Sequence, residues 1–306
     1  MQLHGGGLVS TPDRSPLAKA RSKMPYVTAA DGTKLYYEEA GQGTPVVFVH
    51  EYAGDYRTWE PQVRHFSRQH RCITFSARGY PPSDIPPDGR SYSQDIARLD
   101  VIAVMDGLGV KKAHVVGHSM GAYTTLHVGI RHPERCISLT AAGCGWGSNP
   151  AEREASKALV QEIARMFRED GIAVAAAKYA DFPMRHAQKH KDPRGWAEFA
   201  KMLGEHSGLG SAMTMLHVQL ERPTLWELEA DLRKLQIPLL IIVGDEDESC
   251  LDGSLLMKRR APQAALCVIP RAGHTITSEE PAAVNAALAE LFAASEAGRW
   301  MSHKGS

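Results

Sequence analysis

The sequence predicts an α/β fold: a mostly parallel, doubly wound sheet covered by helices on both faces, with a helical cap inserted late in the chain. Three observations carry this. Short apolar runs of strand character alternate with amphipathic stretches from Tyr26 to Ala141. The alternation then stops between Asn149 and Leu235, where the signals are helical and no convincing strand occurs. Two more apolar runs and a closing helix resume it. Alternation implies parallel pairing, because a parallel crossover needs enough chain for a helix and lays that helix on a sheet face.

Taken in order, Asp31-Gly32 is a hairpin turn between Tyr26–Ala29 and Lys34–Glu38. Pro45–Val49 reads as a buried strand ending at His50. Tyr56 to Arg68 reads as a helix with Trp59, Val63 and Phe66 on one side. Cys72–Ser76 is the next strand, and Arg78 to Arg90 is a loop rich in proline and glycine. Ser93 is the expected N-cap of a helix running to Leu108. Ala113–Val116 and Ile137–Ala141 are strands, separated by a helix that begins near Ala122. Within the helical stretch, Glu152–Phe167 and Gly195–Leu203 carry the plainest periodicity. Pro238–Val243 and Ala265–Ile269 are the late strands, and Glu280–Ala293 is the last helix. The division expected is a flexible tail (1–24), a first sheet segment (25–147), a helical cap (148–235), a second sheet segment (236–298) and a C-terminal tail (299–306).

Composition narrows the function. Of 306 residues, 35 are basic and 35 acidic, so no global field draws the chain to nucleic acid or to an anionic membrane. Its longest apolar run, Ile237 to Val243, is too short to span a bilayer. Five scattered cysteines without a Cys-x-x-Cys pair fit reduced thiols in the cytoplasm rather than a disulfide framework or a zinc site. The first two dozen residues lack the apolar core of a secretory signal and read as a disordered extension ahead of Met24. Within them, His4-Gly5-Gly6-Gly7 imitates an oxyanion loop but has no strand before it, and is set aside.

The chemistry centres on Gly117-His118-Ser119-Met120-Gly121, which stands between a strand and a helix. A Gly-x-Ser-x-Gly string is common, but in this setting it describes a strained turn presenting a serine hydroxyl at a helix N-terminus. A serine is a weak nucleophile at neutral pH and needs a base, for which imidazole has the right pKa; a carboxylate must orient that imidazole. For an elbow serine the chain order is Ser, then acid, then His. Gly244-Asp245-Glu246-Asp247 directly follows a late strand, and Ala272-Gly273-His274 lies between the last strand and the last helix. Among the carboxylates from Asp245 to Glu248, Asp247 is favoured, because Asp245 still belongs to the strand end. The other place for the acid, after Ile137–Ala141, holds no Asp or Glu from Ala142 to Pro150.

Competing histidines fit less well. His50 reads as a buried brace for the loop after it, while His118 and His127 are tied to the elbow strand and its helix. His186 and His190 have metal-pair spacing without the glutamate such a pair needs, and read as surface residues. The oxyanion donors are expected to be the backbone N–H groups of Met120 and of Tyr52, the latter in the loop after Pro45–Val49. Glu51 and Trp146 are expected at the substrate, with a hydrogen-bonded structural role as the equal alternative for Glu51. Gly143–Gly147 lacks the spacing of a nucleotide loop and reads as a tight exit into the cap. No cofactor or metal is called for.

These motifs, with Val47-Phe48-Val49-His50, Arg78-Gly79-Tyr80 and Ser83-Asp84, resemble those of the α/β-hydrolase superfamily over roughly Met24 to Ala293. The likeness is to capped members such as carboxylesterases, lactonases and meta-cleavage-product hydrolases. It implies Ser119 as nucleophile, Asp247 as acid, His274 as base, and Tyr52 and Met120 as oxyanion donors. Two positions depart from the pattern: Glu51 stands where relatives have Gly, and Pro81-Pro82 replaces a more flexible pair. Dehalogenases and epoxide hydrolases of this fold use Asp at the elbow, so Ser119 excludes them; His118 in place of Asn demotes the carbon–carbon bond hydrolases. The expected activity is cleavage of a small carboxylic ester, thioester or lactone through an acyl-enzyme. A C–C hydrolase, an acyltransferase or a ligand receptor are the alternatives. The partner expected is a small molecule, and a homo-oligomer is compatible with the sequence.

Overall fold

A computed structural model describes residues 25–300; the tripeptide of glycines after His4 lies outside them. Eight strands form one sheet: β1 (Tyr26–Thr28), β2 (Lys34–Ala40), β3 (Thr44–Val49), β4 (His70–Phe75), β5 (Ala113–His118), β6 (Cys136–Ala142), β7 (Leu239–Gly244) and β8 (Ala264–Ile269). Their spatial order is β1-β2-β4-β3-β5-β6-β7-β8. β1 and β2 pair antiparallel, and β2 meets β4 antiparallel. From β4 to β8 every pairing is parallel.

The helices α1 (Glu60–Phe66), α2 (Gln94–Gly107) and α3 (Met120–Arg131) connect the first parallel strands. Strand periodicity sorts the core into two layers. Val47, Val49, Val115, Leu139 and Ile241 pack with Val101, Met105 and Leu126 of α2 and α3 on one face. Val46, Phe48, Val116, Leu240 and Ile242 face the other way, against Phe66 of α1 and the last helix, α12 (Pro281–Glu296). Ser93 caps α2, its hydroxyl accepting the Ile96 N–H at 3.1 Å. Helix α1 starts four residues later than its periodicity predicts. The Asp55 carboxylate takes the Arg57 N–H at 2.8 Å and holds that stretch in a turn, and Pro61 then opens the helix.

Between β6 and β7 the chain is helical: α4 (Arg153–Glu169), α5 (Ile172–Ala180), α6 (His186–Lys191), α7 (Pro193–Leu203), α8 (Gly208–Thr214), a π turn (Met215–Gln219) and α9 (Glu229–Leu232). Helices α4, α5, α7 and α8 share a separate apolar cluster that includes Val160, Ile163, Phe167 and Leu203, with Tyr52, Tyr80 and Met120 below it. A further helix, α10 (Glu248–Arg260), joins β7 to β8, and a short α11 (Ile276–Glu279) precedes α12. The sequence pattern does not announce α10, which carries a glycine at its middle. A Cβ on Gly253 would stand 2.8 Å from Leu225 and 3.1 Å from the Gly145 backbone, so packing, not propensity, sets that residue. Among the described residues, no helix is long and apolar enough to cross a membrane.

Candidate active site

The order of the strands reverses between β3 and β5, and the loops leaving their carboxyl ends open a crevice there. Ser119 occupies the single-residue turn between β5 and α3, with φ 52° and ψ −112°, a backbone region L-residues seldom adopt. Its N–H donates to the Ala142 carbonyl at 2.8 Å, which pins the turn to β6. The flanking glycines are a steric necessity. A Cβ on Gly117 would lie 2.2 Å from the Gly121 carbonyl oxygen, and one on Gly121 would lie 2.1 Å from that of Val49. Met120 is the first residue of α3, so its N–H has no acceptor in the helix and forms part of the positive end of the helix dipole.

His274, in the loop after β8, brings Nε2 to 2.9 Å from the Ser119 hydroxyl. Its Nδ1 lies 2.8 Å from Oδ2 of Asp247, in the loop after β7. Asp247 is buried, whereas Asp245, Glu246 and Glu248 are exposed. Asp245 does turn into the loop, accepting the Ala272 N–H at 3.3 Å. Burial disfavours the Asp247 carboxylate, but the charge and hydrogen bond of His274, with a bond from Ser249, outweigh it and leave the pKa below the ordinary carboxylate value. For His274 burial likewise opposes the charged form, and the charge and hydrogen bond of Asp247 overcome it, raising the imidazole above its usual value.

Residues unread in the sequence hold this chain of groups in place. The carboxylate of Glu279, at the end of α11, accepts the Gly273 N–H at 2.8 Å, the Thr275 N–H at 3.0 Å and the Thr275 hydroxyl at 2.6 Å. It thus grips the backbone on both sides of His274. The only signal was an acid four residues after Thr275, which does not fit the three-residue capping box. His118 donates from Nε2 to the His274 carbonyl at 2.7 Å, and burial depresses its pKa to about 4. Cys250 lies with Sγ 3.8 Å from His274 Nδ1 and donates to the Gly143 carbonyl at 3.4 Å. Asp247, Cys250 and His274 place ligand atoms within 4.8 Å of one another. Burial raises the Cys250 thiol well above its ordinary pKa, and Nδ1 is hydrogen-bonded to Asp247.

A cavity of about 210 Å³ opens above Ser119 and His274. The sheet side contributes Tyr52, Trp146 and Ser249; Leu159 and Ile163 of α4, Tyr179 of α5 and the Phe182–Met184 turn close it from above, with Met215 and Gln219. Trp146, Tyr52 and Met215 thus all line the cavity. Trp196 does not line the cavity, its indole N–H donating to the Ala180 carbonyl at 2.7 Å. Nor does Met213. A larger groove, about 890 Å³, runs along β1 and α2 and is remote from Ser119.

Glu51 takes the structural alternative rather than a place on the cavity wall. It is buried but absent from the cavity wall, and its carboxylate pairs with the guanidinium of Arg185, between α5 and α6. Burial opposes ionisation, but Arg185 prevails and draws the Glu51 pKa down to about 2. A sequence pattern cannot reveal this, because the partner is 134 positions away. His50 beside it is the expected brace: Ala77 N–H donates to its Nε2 at 3.0 Å, so Nδ1 carries the proton and donates to the Glu51 carbonyl at 2.6 Å. His186 and His190 are exposed on α6.

Known proteins share this architecture. The family model described as alpha/beta hydrolase fold matches residues 44–281. The AB hydrolase superfamily protein YisY of Bacillus subtilis is 25% identical over 273 residues, which cover 87% of this chain and 98% of that protein. A thermophilic esterase from Thermogutta terrifontis, solved with malate bound, matches with a TM-score of 0.77 at 24% identity, over 90% of this chain and 99% of its own. Est816, described as an N-acyl homoserine lactone degrading enzyme, matches with a TM-score of 0.71 at 26% identity, over 87% of this chain and 99% of its own. With that model spanning β3 to the start of α12, across the elbow and the whole helical insertion, the chain belongs to the α/β-hydrolase family of enzymes.

Proposed function

We propose that the protein is a serine hydrolase that cleaves a small, neutral carboxylic ester, thioester or lactone through an acyl-enzyme on Ser119, without a cofactor. The observation that carries this reading is the bridge made by His274, 2.9 Å from the Ser119 hydroxyl and 2.8 Å from the Asp247 carboxylate. Nε2 takes the serine proton as the oxygen attacks the substrate carbonyl, and Asp247 stabilises the imidazolium that forms. The N–H groups of Met120 and Tyr52 hold the tetrahedral oxyanion; losing one such donor typically costs about 3 kcal/mol of transition-state stabilisation. The imidazolium then protonates the leaving alcohol or thiol. Water, deprotonated by His274, attacks the acyl-enzyme, and Ser119 recovers its proton.

Size and neutrality follow from the cavity. It is about 210 Å³, and no Asp, Glu, Lys or Arg lies among the described residues that line it. The helical insertion serves as the cap that excludes water from the reaction. Esters and lactones are also the substrates named for the Thermogutta terrifontis esterase and for Est816. The five cysteines are free, which supports a reducing compartment such as the cytoplasm.

The test is turnover of p-nitrophenyl butyrate. Ser119→Ala should lower kcat by about a million-fold, as removal of a triad serine does elsewhere. Turnover that survives this substitution overturns the proposal.

A further inference from the structure

The loop that carries Tyr52 leaves β3 at His50 and is tied to the helical insertion along its length. The Tyr52 hydroxyl donates to the Ser211 carbonyl of α8 at 3.2 Å, Asp55 meets His206 at 3.3 Å, and Arg57 reaches Glu205 at 2.7 Å. The tie nearest the chemistry is that of Glu51 to Arg185. Glu51 immediately precedes Tyr52, and Arg185 immediately follows Phe182, Pro183 and Met184 of the cavity wall.

The pair fixes direction as well as distance. Arg185 donates from Nη1 to Oε1 of Glu51 at 2.7 Å and from Nη2 to Oε2, the two-bond arrangement that sets the plane of a carboxylate. Its guanidinium stands 4.5 Å from the centre of the Phe199 ring on α7 and 5.6 Å from that of Tyr179 on α5, so the insertion holds the arginine in turn. The Glu51 carbonyl is held too, accepting from His50 Nδ1 at 2.6 Å and from the Gly54 N–H at 3.1 Å. That carbonyl and the Tyr52 N–H belong to one planar peptide unit, so whatever holds Glu51 also aims the N–H. Stability alone does not account for the arrangement, because packed apolar side chains of similar volume often serve a core as well as a buried ion pair does.

Resting on the serine-hydrolase reading, we propose that Glu51 and Arg185 are positioning residues for the oxyanion hole: their pair carries the seating of the helical insertion to the Tyr52 N–H. The insertion then does more than exclude water, since the second oxyanion donor takes its place from it. Such a donor bonds most strongly to the oxyanion of the transition state, so its misplacement lowers kcat and leaves KM nearly unchanged.

The experiment measures p-nitrophenyl butyrate turnover, and inhibition by butaneboronic acid, for the wild type and two variants. The double variant Glu51→Met with Arg185→Met replaces the pair by apolar side chains; Arg185→Lys keeps the charge but loses the two-bond fork. In both, kcat should fall by roughly tenfold or more with KM changed by less than about threefold. The inhibition constant of the boronic acid, which forms a tetrahedral anion on Ser119, should rise by about the same factor as kcat falls. A merely structural pair predicts the opposite for the double variant, namely recovered stability in urea with recovered kcat. Circular dichroism identifies a variant that fails to fold, and the other then decides. A folded variant with kcat and boronate inhibition within about twofold of the wild type overturns the inference. Ser119→Ala separates the two levels: if it is inactive while the pair variants keep the wild-type kcat, the hydrolase reading stands and only the role of the pair falls.

Discussion

His274 is an imidazole under opposed pressures, burial against the charge and Asp247 in favour of it, and the balance lies above the free value of 6.5. A base works only when neutral, so activity must fall as the pH drops through that raised pKa. The acid limb of kcat/KM against pH for p-nitrophenyl butyrate should therefore have its midpoint above 6.5, and a midpoint at or below it would contradict the assignment. Asp247→Asn should lower kcat by about ten-thousand-fold, since the wrong imidazole tautomer then faces the serine. It also removes the charge that raises His274, so the acid limb should move down. If Asp245→Asn produces these effects instead, the acid has been misassigned. Sequence position favours Asp247 among four neighbouring carboxylates, and of the four only Asp247 is withdrawn from solvent and held against the ring.

The loop that carries His274 depends on an element too short to read from periodicity. Helix α11 is a single turn, and Glu279 at its end ties down the amides on both sides of the imidazole. Glu279→Ala frees that backbone while leaving Ser119 and the cavity wall intact. Displacing a reacting group by about 1 Å can cost roughly a hundredfold, so kcat should fall by about that factor with KM little changed. A kcat within twofold of the wild type would show that the loop needs no such clamp. Other elements were legible for stated reasons. Strands β3, β5, β6 and β7 are largely buried apolar runs, the edge strand β8 is an apolar run only half-buried, and α2 announces itself with Ser93. Helix α10 was not, because the glycine that interrupts its pattern answers to Leu225 and Gly145 rather than to its own helix.

At the scale of the whole molecule, the helical insertion is fastened to the loop after β3 by polar and ionic side-chain pairs. Arg185 binds Glu51, His206 Nε2 lies 3.3 Å from Asp55, and Arg57 reaches Glu205 at 2.7 Å. The first pair is the consequential one, since it joins a buried guanidinium to a buried carboxylate through two hydrogen bonds and Glu51 immediately precedes Tyr52. Arg185→Met strands a buried carboxylate and should destabilise the fold by about 3–5 kcal/mol in urea unfolding. Adding Glu51→Met should recover most of that loss, because two packed apolar side chains replace a desolvated ion pair. A single substitution costing under about 1 kcal/mol would mean that the pair is solvated when the insertion moves.

What the sequence determined by itself is whatever depends on neighbours along the chain. The alternation of strands and helices, the elbow at Ser119 with glycines on both sides, and the ordering of hydroxyl, acid and imidazole are all local patterns. Tertiary structure alone decided the rest: that Glu51 turns away to Arg185, that Glu279 grips the backbone around the base, and which side chains of the insertion line the cavity. The physical reason is the same in each case. Burial and partner choice depend on side chains that come from distant segments, and the free energy of a charge or an amide is set by what surrounds it in space.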